Sequence, residues 1–146
     1  HAQLVGDGDP HQNYYMMQVS APETCADGGC SITHIDEKSQ GWSASIDTGD
    51  VAEWITGGFE VQQTFTSGND YTCNGNAGET ICVWVKIAKT AYTVQNGDCD
   101  DKPNAQPYVM WSPNVGNRGG EYYCVTGSCR NSGDGYEDNT GPAGGP

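Results

Sequence analysis

The sequence predicts an all-β protein: an antiparallel β-sandwich or barrel of about seven or eight strands, braced by disulfides and with at most one short helix. Three observations lead there. Residues Glu79 to Gln95, ETICVWVKIAKTAYTVQ, hold the longest period-two pattern in the chain. Ile81, Val83, Val85 and Ile87 fall on one face, with Cys82, Trp84, Lys86 and Ala88 on the other, as a strand requires. Glycine at 21 positions and proline at 7 leave few windows long enough for a helix. Seven cysteines in 146 residues suit an oxidising compartment, where disulfides persist.

Taken in order, the chain reads as short strands between polar turns. Residues 1–12 are polar and broken and are expected to be irregular. Asn13 to Val19, NYYMMQV, reads as a strand with Tyr15, Met17 and Val19 turned inward, its methionines filling core space rather than holding a soft metal. APETCADGGC is a loop, and Ser31 to Ile35 a short strand carrying His34. Gly41 to Asp47 alternates Trp42, Ala44 and Ile46 against Ser43, Ser45 and Asp47. Asp50 to Thr56, DVAEWIT, is the best helix, with Asp50 as N-cap, Glu53 three residues on, and Gly57-Gly58 as its stop. Gly58 to Thr66 returns to alternation and is expected to form an antiparallel hairpin with the core strand across Ser67 to Gly78. A break at Lys89-Thr90 then lets Ala91 to Val94 fold back as a partner. Pro107 to Trp111 and Glu121 to Val125 are the last strands, separated by SPNVGNRGG, which lacks the Gly-Lys-Ser/Thr of a phosphate loop. Residues 130–146 are expected to be irregular. No repeat interrupts this reading, so 1–146 is expected to form a single domain.

The cysteines point to disulfides rather than zinc, because no Cys-x-x-Cys knuckle occurs. Cys73 and Cys82 are placed to clasp the expected hairpin, and Cys25–Cys30 and Cys124–Cys129 to close local loops. Spacing alone does not fix the connectivity, and one thiol is left over whatever the pairing. No cofactor is required by the sequence, but two metals have candidate ligands. A terminal amine and imidazole at His1, with His11 or His34, would give copper three nitrogens. Calcium has oxygen donors in Asp98, Asp100 and Asp101, and again in Asp134, Glu137 and Asp138, without the spacing of an EF-hand.

Six basic against nineteen acidic residues give a net charge of −13. Such a field repels a polyanion, which argues against nucleic-acid binding through phosphates and against anionic membrane surfaces. No apolar run approaches the roughly 20 residues that span a bilayer. The first residue is His1 rather than Met, with no basic-then-apolar leader, so the sequence is expected to be a mature, exported, extracellular product.

The stretches GFEVQQTFTSGNDYTC, ICVWVKIAKTAYTV and EYYCVTGSC together resemble small secreted cysteine-containing proteins of filamentous fungi. The resemblance covers the second half of the chain. It implies secretion and a β-rich domain, and it brings no activity and no functional residues.

The residues themselves favour a binding module for a carbohydrate, such as a polysaccharide or cell-wall glycan, or for a cell-surface partner. Aromatic side chains exceed what a core needs: Trp84 lies opposite the aliphatic face of its own strand, and Trp54, Trp111, Tyr122 and Tyr123 cannot all point inward. Rings on a rigid sheet stack against sugars, and Gln62 or Asn117 can orient hydroxyls. A small hydrolase is the alternative, with Glu60 and either Glu53 or Asp47 as paired carboxylates, or with His34, Glu60 and Arg118 as an acidic ribonuclease. Copper held by His1 is the third. Whether the Cys82, Trp84 and Lys86 face is roofed or open separates scaffold from site.

Overall fold

The structure, a computed structural model, describes residues 2–4, 6, 9–41, 61–62, 64–68, 71–96 and 108–141. Among these, eleven strands follow the chain: β1 Ala2–Leu4, β2 His11–Gln18, β3 Glu23–Thr24, β4 Cys30–Ile32, β5 Ser39–Gly41, β6 Thr64–Thr66, β7 Cys73–Gly75, β8 Thr80–Asn96, β9 Tyr108–Pro113, β10 Glu121–Thr126 and β11 Gly135–Asp138. A single 3-10 turn, Val115–Asn117, is the only helical piece among the described residues. The expected helix at Asp50 to Thr56 lies outside them.

The alternating run forms β8, an unbroken strand of 17 residues at the centre of a seven-stranded antiparallel sheet. One edge of β8 takes β3, β2 and β1 end to end, and the other takes β10 and then β9. β11 adds outside β2. β9 and β10 run the same way along one edge, interrupted between Asn114 and Gly120. There Asn117 stands in for the missing ladder: its Oδ1 accepts the Ala88 N–H at 2.9 Å and its Nδ2 donates to the Lys86 carbonyl at 3.0 Å. Buried backbone groups need such partners.

The core lies on one face of this sheet. Ile81, Val83, Val85 and Ile87 are fully buried, with Met17, Val19 and the partly buried Tyr15 and Tyr122 beside them. Two small sheets, β4 with β7 and β5 with β6, supply Ile32, Cys73 and Phe65 to the same cluster. The architecture is therefore sandwich-like and open, not a closed barrel.

Several expectations are corrected. The strand does not fold back at Lys89-Thr90. The polar residues that suggested a break are partnered inside the sheet, Lys89 by Glu137 and the Thr90 hydroxyl by Gln12 and Asn114. The hairpin expected of Gly58 to Thr66 with β8 does not form in the described part of that stretch, residues 61–62 and 64–66, either. β6 pairs with β5 and β7 with β4, because Phe65 and Cys73 are needed in the layer that covers the aliphatic face. The ends are more ordered than residues 1–12 and 130–146 suggested. Ala2 to Leu4 pairs with the end of β8, His11 already lies in β2, and Gly135 to Asp138 pairs with β2. Gly135 permits that last pairing, since a Cβ there would meet the Met16 carbonyl oxygen at 2.5 Å.

Three disulfides join Cys25–Cys30, Cys73–Cys124 and Cys82–Cys129. The local loop at Cys25–Cys30 is as expected, but Cys73–Cys82 and Cys124–Cys129 are not pairs. Strand parity is the reason. Cys124 lies across from Val83 and so turns to the core-facing side, where it reaches the buried Cys73 from the exposed β10, whereas Cys82 points to the opposite face and meets Cys129 there. Cys99, the seventh cysteine, lies outside the described residues. No helix among the described residues is long and apolar enough to cross a membrane.

Candidate functional site

Registration of β2, β10 and β11 against β8 decides which side chains share the face opposite the core. Gln18 and Tyr123 lie directly across from Trp84, and Met16 and Glu121 from Lys86. Tyr136 lies across from Met16, and Asp138 from Tyr14. This end of the face keeps solvent contact: Tyr14, Met16, Lys86, Tyr123 and Val125 are half-buried and Tyr136 is 46 % exposed. Gln18, Cys82 and Trp84 are the exceptions, and Trp84 is 3 % exposed. Among the described residues, what lies against it is not a second sheet but side chains. Its ring lies 5.9 Å from the Tyr136 ring, and the Arg130 guanidinium is 5.7 Å from it.

Between these groups opens a cleft of about 280 Å³ lined by Trp84, Tyr123, Val125, Ser128, Arg130 and Tyr136. Its shape is fixed from below. The Trp84 Nε1–H points at Cys82 Sγ, 3.3 Å away, and the Cys82–Cys129 disulfide ties the segment after β10 to the sheet. Gly127, at φ 85°, turns the chain into that segment. Gln18, fully buried, then fixes the Arg130 backbone: its Oε1 accepts the Arg130 N–H at 2.6 Å and its Nε2 donates to the Arg130 carbonyl at 2.7 Å. Burial and the neighbouring Tyr136 hydroxyl push the Tyr123 phenol up to about 12, so it stays a neutral donor across the physiological range.

Further along the same face the sheet is sealed by polar contacts. Gln12 Nε2 donates to Thr90 Oγ1, Thr90 Oγ1 to Asn114 Oδ1, and Asn114 Nδ2 back to Gln12 Oε1, in bonds of 2.7 to 2.9 Å that close a ring. All three residues are buried. This ring is structural, since every donor and acceptor in it is satisfied internally.

The aromatic residues expected to bind together do not share one surface. Tyr122 and Tyr123 are neighbours on β10 and so point to opposite faces. Tyr122 turns inward, stacks on Tyr71 at 5.8 Å and accepts the Gly68 N–H. Trp111 lies on the core-facing side of β9, with Lys89 Nζ 3.6 Å above its ring. Trp84 and Tyr123 alone meet in the cleft. Trp54 lies outside the described residues. Gln62 and Asn117 line a different groove, of about 480 Å³, beside Phe65, Glu121 and Tyr122. That groove is larger, but its aromatic residues, the buried Phe65 and half-buried Tyr122, are less exposed than Tyr136, and the Asn117 amide is committed to β8. The carboxylates Glu60, Glu53 and Asp47 all lie outside the described residues.

The metal candidates are dispersed where they can be seen. His1 lies outside the described residues. His11 bonds the Asp9 carbonyl at 2.8 Å, and the well-exposed His34 lies 3.2 Å from Asp36. Glu137 and Asp138 are adjacent on β11 and face opposite ways, Glu137 to Lys89 and Asp138 to Thr140. Asp134 accepts the Asn131 N–H. Among the described residues no cluster of three His, Cys, Asp or Glu side chains could hold a metal. The triad Asp98, Asp100 and Asp101 lies outside them.

Sequence reasoning passed over Gln18, Arg130 and Tyr136. The signal for Tyr136 was the short alternation of GYED in a tail that read as irregular for its glycines. Arg130 was visible only as one of six basic residues, beside a cysteine. No protein-family model matches the chain, and no curated protein or solved structure matches it either.

Proposed function

We propose that this chain is a secreted, non-catalytic module that binds a carbohydrate, such as a cell-wall glycan, in the cleft over Trp84. The observation that carries this reading is the cleft itself. An aromatic floor and wall, Trp84 and Tyr136, stand on a rigid sheet, with Tyr123, Ser128 and Arg130 as hydrogen-bonding groups at the rim. Trp84 is too covered to stack on a ligand, so its part is to hold the Tyr136 ring upright. Tyr136 offers the sugar its face. Three disulfides fit an exported protein working outside the cell.

Incubation of the protein with insoluble chitin, cellulose, β-glucan and peptidoglycan tests the reading. Retention on at least one polymer, without release of soluble sugar, is expected. Tyr136→Ala is expected to weaken that retention about tenfold, the equivalent of about 1.4 kcal/mol for one ring contact. Release of soluble sugar would overturn the non-catalytic part, and retention untouched by Tyr136→Ala would place binding elsewhere.

A further inference from the structure

The charges around the cleft say what its ligand carries. In a chain of net charge −13, cations are scarce, and most of those described are engaged. Lys89 is buried against Glu137 at 2.7 Å. Lys86 lies over the Tyr14 ring, with Glu121 directly across from it on β10. Arg130 is different. It is exposed at the cleft rim, and no carboxylate among the described residues lies within ion-pair distance of it. Its guanidinium rests against the Trp84 and Tyr136 rings, 5.7 and 5.4 Å from their centres.

That arrangement is held in advance. The Cys82–Cys129 disulfide fixes the preceding residue, and the buried Gln18 amide grips both the N–H and the C=O of Arg130. Contact with rings uses none of the N–H groups of a guanidinium fork, and these can take a carboxylate through two parallel hydrogen bonds. A cover for Trp84 needs only an apolar stem. Held this way, the fork is a ready anion receptor, and the surrounding field limits what kind. A run of anions is repelled by the whole molecule, whereas one carboxylate at contact distance feels Arg130 first.

We propose that the cleft recognises a single uronic acid unit on an otherwise neutral glycan, its carboxylate on the Arg130 guanidinium and its ring against Tyr136. Ser128 and Tyr123 then stand beside the sugar hydroxyls. The assignment rests on the carbohydrate reading above and adds the acid group to it.

Matched oligosaccharides separate the two. An array carries neutral oligosaccharides, the same chains bearing one terminal glucuronate, and those acids after reduction of the carboxyl to the alcohol. Wild-type protein is expected to bind an acid form at least tenfold more tightly than its reduced partner. Arg130→Gln is expected to bring the two to the same affinity, Arg130→Lys to keep part of the preference, and Tyr136→Ala to weaken both. Equal wild-type affinity for acid and reduced forms overturns the uronate assignment and leaves the carbohydrate reading standing. Binding to none overturns both. If Arg130→Gln fails to fold, as its thermal midpoint would show, the wild-type ratio of acid to reduced form decides alone.

Discussion

At the scale of single residues, Lys89 is the most unusual group. Its side chain is fully covered, its ammonium bonds Glu137 at 2.7 Å, and it lies 3.6 Å above the Trp111 ring. Burial pulls its proton affinity below the ordinary value of 10.5, while Glu137 works in the opposite direction. The sign of the consequence follows from proton counting. Between the lowered folded value and 10.5 the unfolded chain holds more protons, so this residue costs stability at neutral pH and returns it as pH rises through that window. Replacing a buried ammonium by an apolar side chain of similar length is often neutral or favourable, whereas removing its partner strands the charge. Lys89→Met is therefore expected to leave the unfolding free energy unchanged or raise it by up to about 2 kcal/mol. Glu137→Gln, removing a half-exposed partner, is expected to lower it by about 1–2 kcal/mol. Urea titrations at pH 7 and at points up to about 10.5 check both, and the Lys89 contribution to any wild-type gain with rising pH should be absent in Lys89→Met. A larger loss in Lys89→Met than in Glu137→Gln would mean that the cation–ring contact outweighs desolvation.

At the scale of elements, the disulfides show what was legible in the sequence and what was not. The alternation of Ile81, Val83, Val85 and Ile87 is local information, and it located the central strand and its buried face. Pairing between Cys73 and Cys124 is not local: it depends on β7 lying in the layer above β10, which no spacing reveals. The same holds for the site. Trp84 and Tyr123 were visible as surplus aromatics, but Tyr136 and Arg130 join them only because β11 docks outside β2 and Cys129 is tied to Cys82. Lys89-Thr90 misled for a related reason, since polar residues read as a break unless their distant partners are known. The crosslinks also differ in strength. Loop-closure entropy assigns about 4 kcal/mol to Cys73–Cys124, whose cysteines are 51 residues apart, and about 2 kcal/mol to Cys25–Cys30, which are 5 apart. The paired variant Cys73→Ala/Cys124→Ala is thus expected to lose about 2 kcal/mol more than Cys25→Ala/Cys30→Ala in denaturant unfolding. Equal losses would show that the unfolded chain is already compact across the longer loop.

At the scale of the whole molecule, the dominant fact is a charge of −13 on a chain of 146 residues. A folded chain of this length has a radius of gyration of about 15 Å. At about 10 mM salt the screening length is about 30 Å, so every carboxylate repels every other across the protein. At about 0.5 M it falls to about 4 Å, and only near neighbours interact. Folding draws these charges together, so repulsion destabilises the compact state and salt relieves it. The described ion pairs do little to reverse the sign, because the strongest, Lys89 with Glu137, has a fully covered ammonium and is screened weakly. Raising sodium chloride from about 10 mM to about 0.5 M at pH 7 is therefore expected to raise the thermal midpoint by several degrees. Near pH 4.2, where the net charge vanishes, the same increase should have almost no effect. Tetramethylammonium chloride distinguishes screening from occupation of carboxylates by sodium: under screening both salts act alike. A midpoint that falls with salt at pH 7 would show instead that attraction between specific pairs outweighs the collective repulsion.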